Sequence, residues 1–284
     1  MVAASIMLLL VKLAGTHGVR LPEILFWRQF IPAVAIAGWL IAHRRMADLK
    51  TARPMLHARR AVIGMTTMFL ILGAVQVLPL AESTVLGFTM PMFAVLLSVV
   101  LLHEQVGPVR WAAVLLGLAG VVVIAGPDRS NLPLFGVALG LGAAMGLALV
   151  SIQLRDMGRT ELPLTIVFWF SALGALMLVP GLLLTGGYHT PTQWMLLGGI
   201  GFSGLFVQVL MTSSLRFGTV GSVLVMDYSQ LVWATVWGWL FFSQLPPPTT
   251  WIGAPLIVAA GLIIAWREHR LARPQSQQDA ALAG

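Results

Sequence analysis

Apolar runs separated by short polar breaks fill almost the whole chain. They cover residues 2–15, 21–42, 61–79, 82–102, 108–126, 133–152, 162–184, 194–213, 219–242 and 249–266. A helix needs about 20 mainly apolar residues to cross a bilayer, in a range of about 17–25. Ten such runs predict about ten transmembrane helices. Lipid offers no partner to backbone N–H and C=O groups, so only helices or a closed barrel cross it. Barrel strands are about ten residues long with alternating polarity, and these runs do not alternate. The predicted fold class is therefore an all-α polytopic membrane protein. Connections are short, and residues 43–60 form the longest and the only strongly charged one. The run from Val2 to Gly15 has no basic segment before it and leads into further apolar runs, so no cleavable signal peptide is expected.

Composition agrees. Hydrophobic residues make up 58% of the 284 and charged residues 10%, with a mean hydropathy of +0.90. Soluble domains carry about 25% charged residues, so this chain has too little polar surface to coat a globule. There is no cysteine, which removes disulfides, thiolate metal sites and cysteine nucleophiles. The net charge of +7 is spread between apolar runs rather than gathered in a patch, so nucleic acid is not an expected partner.

The basic residues instead report orientation, because Lys and Arg accumulate on the cytoplasmic side of membrane proteins. With the N-terminus inside, inner segments hold Arg44, Arg45, Lys50, Arg53, Arg59, Arg60, Arg110, Arg155, Arg159, Arg216, Arg267, Arg270 and Arg273. Outer loops hold only Arg20 and Arg129, while Lys12 and Arg28 lie within spans. The protein is expected in the cell (inner) membrane, with both termini in the cytoplasm. Trp39, Trp111, Trp194, Trp251 and Trp266 fall near span ends, where indole suits the interface.

The chain also resembles itself. Leu21, Pro22, Phe26 and Trp27 match Leu162, Pro163, Phe168 and Trp169, with one residue inserted. His103, Pro108 and Trp111 match Ser243, Pro248 and Trp251, and Ala119-Gly120 matches Ala260-Gly261. These matches divide the chain into a first repeat over 1–126, a second over 127–266, and a basic cytoplasmic tail over 267–284 expected to be disordered. Five spans per half is an odd number, so the second half enters the membrane upside down relative to the first. Inverted repeats are the architecture of many secondary transporters. In this register the start of the sixth span maps upstream of Met1, so either the natural start lies upstream or the first span is unusually short.

The residues carrying a family resemblance are Leu10, Val11, Lys12 and Leu13, then Arg28, then Leu78 through Thr84 and Met90, Pro91 and Met92. Leu102, His103 and Glu104 before Trp111, Gly117 through Gly120, Leu224 to Trp239 and Gly253 through Gly261 complete the set. In these the chain resembles the drug/metabolite transporter superfamily, in particular its ten-span EamA-type members. The resemblance covers nearly the whole chain. It implies a cytoplasmic-membrane permease for amino acids, nucleotide-like metabolites or drugs. The family's usual Glu at the end of the ninth span is Gln244 here, and the proline expected near Leu231 is absent.

Polar groups inside spans are costly and ask for a reason. Asp227 is the deepest acid, with Tyr228 and Trp233 nearby and Gln230 on the same helical face. It reads as a substrate-amine contact, a carrier of a coupling proton, or a buried acid held by a partner such as Arg28. Arg28 reads as a fork for a substrate carboxylate or phosphate, as a snorkelling side chain, or as a partner of Glu23 or Glu82. Lys12 reads as snorkelling to the outer interface. Glu82 opens the fourth span, where a carboxylate suits a helix N-terminus, and its place near the outer mouth admits gating. Glu104 precedes Pro108 and reads as structural. Gln76 and Gln208 either line a cavity or bond helix to helix. The methionines, among them Met65, Met68, Met90, Met92 and Met226, either line a pliable pocket or simply pack.

The expected substrate-binding set is thus Arg28, Gln76, Gln208, Asp227, Tyr228 and Gln230, with Glu82 and Asp227 as gating or coupling groups. No cofactor or metal is expected, and the partners are a small-molecule substrate, the bilayer, a coupling proton and, where helices five and ten are a dimer seam rather than peripheral scaffold, a second copy in a homodimer. His103-Glu104 has no second histidine nearby for a zinc protease, and Gly-x-Ser-x-Gly and phosphate-loop patterns are missing, which argues against an enzyme. The remaining classes are an alternating-access transporter, a passive channel, and a non-transporting sensor or assembly protein.

Overall fold

The computed structural model describes residues 2–125, 132–217 and 220–282. Arg129, and the side chains of Arg216, Met226 and Arg273, lie outside the described residues. The helices are α1 (Val2–Thr16), α2 (Leu21–Ala42), α3 (Pro54–Val77), α4 (Leu80–Gly87), α5 (Met90–Leu102) and α6 (Pro108–Ala125). They continue as α7 (Leu134–Met157), α8 (Pro163–Thr185), α9 (Pro191–Phe217), α10 (Val220–Phe242) and α11 (Pro248–Leu282). The protein is an all-α polytopic membrane protein. Among the described residues eight spans are long and apolar enough to cross a bilayer, with α4 and α5 counted together as Leu80–Leu101. α1, at 15 residues, is a shorter apolar helix, and α10 adds 23 residues.

Prolines set many of the starts. Pro22, Pro54, Pro91 and Pro163 stand in the first turn of α2, α3, α5 and α8. Proline suits that turn because its missing N–H has no intrahelical partner there anyway. Two spans differ from the sequence expectation for this reason. The run 82–102 is two helices, because Pro91 cannot donate into the ladder and the chain breaks at Phe88 and Thr89. The Thr89 hydroxyl donates to the Leu86 carbonyl at 2.6 Å and helps close the break. The third span begins at Pro54 rather than at 61, which draws Arg59 and Arg60 out of the connection and into α3. The tail beyond 266, expected to be disordered, continues α11 as helix to Leu282.

α2 packs on α8, α6 on α11, α3 on α7 and α1 on α9. α2 and α8 run antiparallel: the segment after α2 meets the start of α8, and the segment after α8 meets the start of α2. α5 and α10 end alike. His103 and Ser243 both take left-handed backbone, at φ 52° and 53°. The following N–H groups of Glu104 and Gln244 bond back to Ser98 O at 3.2 Å and Gly238 O at 3.0 Å, which closes each helix end in the same way.

One apolar core joins α1, α2 and α3 to Phe170 of α8 and Leu197 and Ile200 of α9. A second joins α4, α5 and α6 to α11. Where α6 crosses α11, Gly120 and Gly253 face each other so closely that a Cβ on either would strike the other's carbonyl oxygen. The outer faces are apolar. Leu115 and Val122 of α6 are 65% and 68% exposed, a surface that suits lipid and that a soluble monomer rarely presents.

Candidate transport site

The predicted site residues do not gather at one place. Arg28 lies seven residues into α2, about 10 Å from its start at about 1.5 Å per residue. Its side chain is 1% exposed. Nε donates to the Met7 sulfur at 3.4 Å and Nη1 to Gln29 Oε1 at 3.3 Å. The Gln29 amide donates in turn to the Met65 sulfur at 3.1 Å. Gly204 of α9 leaves the room that the Arg28 stem occupies, and Gln208, buried one turn further on, shares that face.

Arg28 therefore neither snorkels nor pairs. Glu23 faces His189 at 3.5 Å, and Glu82 accepts from the Thr250 hydroxyl at 3.1 Å. Asp227 forms no salt bridge within 4.0 Å among the described residues, with Arg28 or with any other group.

The residue that the sequence reading missed is Arg60. Counted with the charges of the inner connection, it instead sits six residues into α3 and is 4% exposed. Its guanidinium folds over Gly64 and lies 4.2 Å from the centroid of the Phe170 ring. Among the described residues Nε and Nη1 have no hydrogen-bond partner, and Arg60 lies within electrostatic reach of Arg28. Gln29, 0% exposed, was also missed. Arg28 starts from one end of the bundle and Arg60 from the other, and both reach inward toward the same core of Met7, Met65 and Phe170. Burying an ion still costs several kcal/mol after relaxation. A desolvated cation–π contact returns only about 2 kcal/mol, and thioether sulfur is a weak acceptor.

The other predicted residues lie elsewhere. Tyr228 lies edge-on against Phe88 at the α4–α5 break, with ring centroids 4.9 Å apart, and among the described residues its hydroxyl has no hydrogen-bond partner. Asp227 and Gln230 are half-buried on the same helix. Gln76 packs against Gly15, and its amide nitrogen is buried and unpaired. Glu82 is fully buried rather than set at a mouth, and its Oε2 has no partner. Lys12, read as snorkelling, is buried: Nζ donates to the Leu78 carbonyl, lies 5.4 Å from the Phe242 ring, and feels the Glu82 charge. That carbonyl is freed where α3 ends, which is why a lysine is held there. Glu104 lies 3.8 Å from Arg110 of α6, in line with its structural reading.

Both ends of the bundle carry cross-links. At the arginine-rich end Thr51 Oγ1 donates to Glu161 at 2.6 Å, and Arg53 pairs with Asp156 at 2.9 Å. There too His57 lies 3.7 Å from Glu161, and Trp169 Nε1 donates to the Leu49 carbonyl at 3.0 Å. At the opposite end Gln193 donates to the His17 carbonyl at 2.7 Å, His189 faces Glu23, and Trp27 packs on Trp194 with centroids 5.0 Å apart. A cleft of about 320 Å³ opens there, lined by Trp27, Tyr188, His189 and Trp194 among others. Among the described residues no group of three or more His, Asp or Glu is placed to hold a metal.

Against known proteins, the model of the EamA-like transporter family matches twice, over residues 1–126 and 134–266. The chain belongs to the EamA-like transporter family. It is 30% identical over 267 residues to the pseudopaline exporter CntI of Pseudomonas aeruginosa, covering 92% of this chain and 91% of that one. It is 26% identical over 275 residues to an S-adenosylmethionine uptake transporter of Rickettsia prowazekii, covering 95% and 91% of the two. A riboflavin transporter of Rhizobium johnstonii is 28% identical over 235 residues, 80% of this chain and 76% of the relative. A solved crystal structure superposes with a TM-score of 0.62 over 95% of this chain and 97% of that one, at 20% identity, a likeness of fold. This EamA-like protein thus belongs to a family of transporters and shares its fold with a solved structure.

Proposed function

We propose that this protein is a secondary active transporter of small metabolites across the cytoplasmic membrane, working by alternating access, with both termini in the cytoplasm. In this reading residues 1–126 and 127–266 are inverted repeats that rock against each other, and the α6–α11 pair is the peripheral scaffold. The observation that carries it is the reciprocal pair of clamps. Phe26-Trp27 and Phe168-Trp169 are matched positions in the two halves. Trp27 holds the start of α9, and Trp169 holds the segment before α3, at opposite ends. Each half thereby grips the other where that half's second span is followed by its third, at Trp194 in one case and Leu49 in the other. Two such clamps, opened in turn, are what alternating access requires, and inverted repeats are how many transporters supply them.

The cargo is a small metabolite, in keeping with relatives named for pseudopaline, S-adenosylmethionine and riboflavin. Asp227 is the group we assign to a coupling proton, and Glu82, bonded from α4 to Thr250 of α11, is a gate between the halves. The test is mass-spectrometric profiling of metabolites inside and outside cells that express wild type or Asp227→Asn at matched levels. A metabolite redistributed by wild type alone supports both transport and the Asp227 role. Equal redistribution by both removes Asp227 from coupling, and none by either overturns transport.

A further inference from the structure

Two arginines held out of water, both turned toward the Met7, Met65 and Phe170 core and without a carboxylate, are an unfinished electrostatic arrangement. Arg28 and Arg60 are both more than nine-tenths buried, and among the described residues no carboxylate lies within 4.0 Å of either. Among the described residues two nitrogens of Arg60 have no acceptor, and the acceptors of Arg28 are one sulfur and one amide oxygen, both neutral. Stability would be better served by apolar residues of similar volume at both positions. The surroundings are supplied by both matched halves: α1, α2 and α3 from the first, and Phe170 of α8 and Gly204 of α9 from the second. Glycine at 64, 174 and 204 leaves the space into which Arg60, Gln29 and Arg28 fold.

We propose that Arg28, Arg60 and Gln29 form the binding site for a doubly charged oxyanion, a dicarboxylate or a phosphate monoester carried by the transported solute. The proposal rests on the transport reading and names its substrate class. Two guanidiniums present planar donor forks that match carboxylate and phosphate oxygens, and two positive charges call for two negative ones. Met7 and Met65 now occupy part of the donor shell; both are unbranched and deformable, so they can withdraw when oxygen ligands enter. The orphaned Arg60 nitrogens then gain acceptors, and the mutual repulsion of the arginines is offset.

The test uses the full chain in nanodiscs of neutral phosphatidylcholine, with no gradient. Isothermal titration with succinate and with inorganic phosphate is run at constant ionic strength, and unfolding is followed by tryptophan fluorescence. Wild type is expected to bind one of the two probes, and which one tells a dicarboxylate from a phosphate. Arg60→Gln and Arg28→Gln are expected to lose at least tenfold in affinity, while Arg59→Gln, the same charge change at the exposed neighbour, retains it. Arg60→Met, without ligand, is expected to unfold at the same temperature as wild type or higher, because it removes a buried ion that no protein group balances. Binding of neither probe by wild type, or undiminished binding in Arg60→Gln and Arg60→Met, would overturn the site. If wild type moves solutes in vesicles yet binds neither probe, the substrate class fails and transport stands. Binding without transport leaves the anion site and removes the transport reading.

Discussion

The two ends of the bundle use the same plan with different chemistry. At the arginine-rich end, Thr51, Arg53 and His57 meet Asp156, Thr160 and Glu161 in a network of charges and hydroxyls. At the other end the contact is mainly aromatic: Trp27 on Trp194 and Trp194 against His189, with the single pair His189–Glu23 and one amide bond to His17. Each end has one buried histidine–carboxylate pair, contributed in both cases by opposite halves. The network end is tied at more points, and the aromatic end carries the 320 Å³ cleft. The comparison teaches that a two-fold plan in the backbone does not impose equal strength on its two closures. The network end is the more heavily cross-linked of the two, although it too holds a pocket, of about 200 Å³, lined by Leu154, Arg155, Arg159 and Thr212 among others.

The most severe way to break the comparison is to fix either end. The natural chain has no cysteine, so Thr51→Cys with Glu161→Cys, or Glu23→Cys with His189→Cys, can be bridged by a short bifunctional thiol reagent without background. Bridging each end alone is expected to abolish solute movement in vesicles, with recovery when the bridge is cleaved. Continued movement with both ends bridged would indicate a rigid pore.

A smaller effect separates the ends. Glu161→Ala removes the acceptor of Thr51 and leaves His57 buried without its partner, a loss of about 1–3 kcal/mol. It is expected to expose a reporter cysteine at position 165 to water-soluble thiol reagents. Glu23→Ala deprives His189 of its partner at an end that already holds a cleft. Its expected cost is about 1 kcal/mol, with labelling at position 27 changing less than twofold. Equal gains in labelling at both ends would erase the asymmetry. The smallest effect belongs to Arg53→Ala. Arg53 and Asp156 are 38% and 49% exposed, and pairs of that kind contribute about 0–1 kcal/mol. Its melting temperature is expected to stay within a few degrees of wild type, and a larger fall would mean that the network acts as one unit.

Much of the fold was legible in the sequence. The spans were readable because lipid leaves no choice but helices of about 20 apolar residues. Family membership followed from residues spread along the whole length. The site was only half legible. Arg28 was found because a cation in the middle of an apolar run stands out. Arg60 was not, because it lies at the edge of a basic connection, where counting charge cannot distinguish a solvated arginine from one turned inward. Lys12 was assigned to the interface because a long side chain can snorkel in principle, whereas the carbonyl left by the end of α3 binds it inside.

By itself the sequence determined the order and approximate limits of the apolar spans, since hydropathy acts locally along the chain. It also carried the self-similarity of the two halves. Only the tertiary structure decided which polar groups meet. The approach of Arg28 to Arg60, the pairing of Glu23 with His189 and of Glu161 with His57, and the separation of Asp227 from Arg28 depend on which face of each helix turns inward. A helix that is apolar on all sides carries almost no signal of its facing in its own sequence. That choice is made by the glycines and side-chain volumes of the neighbouring helices once they pack.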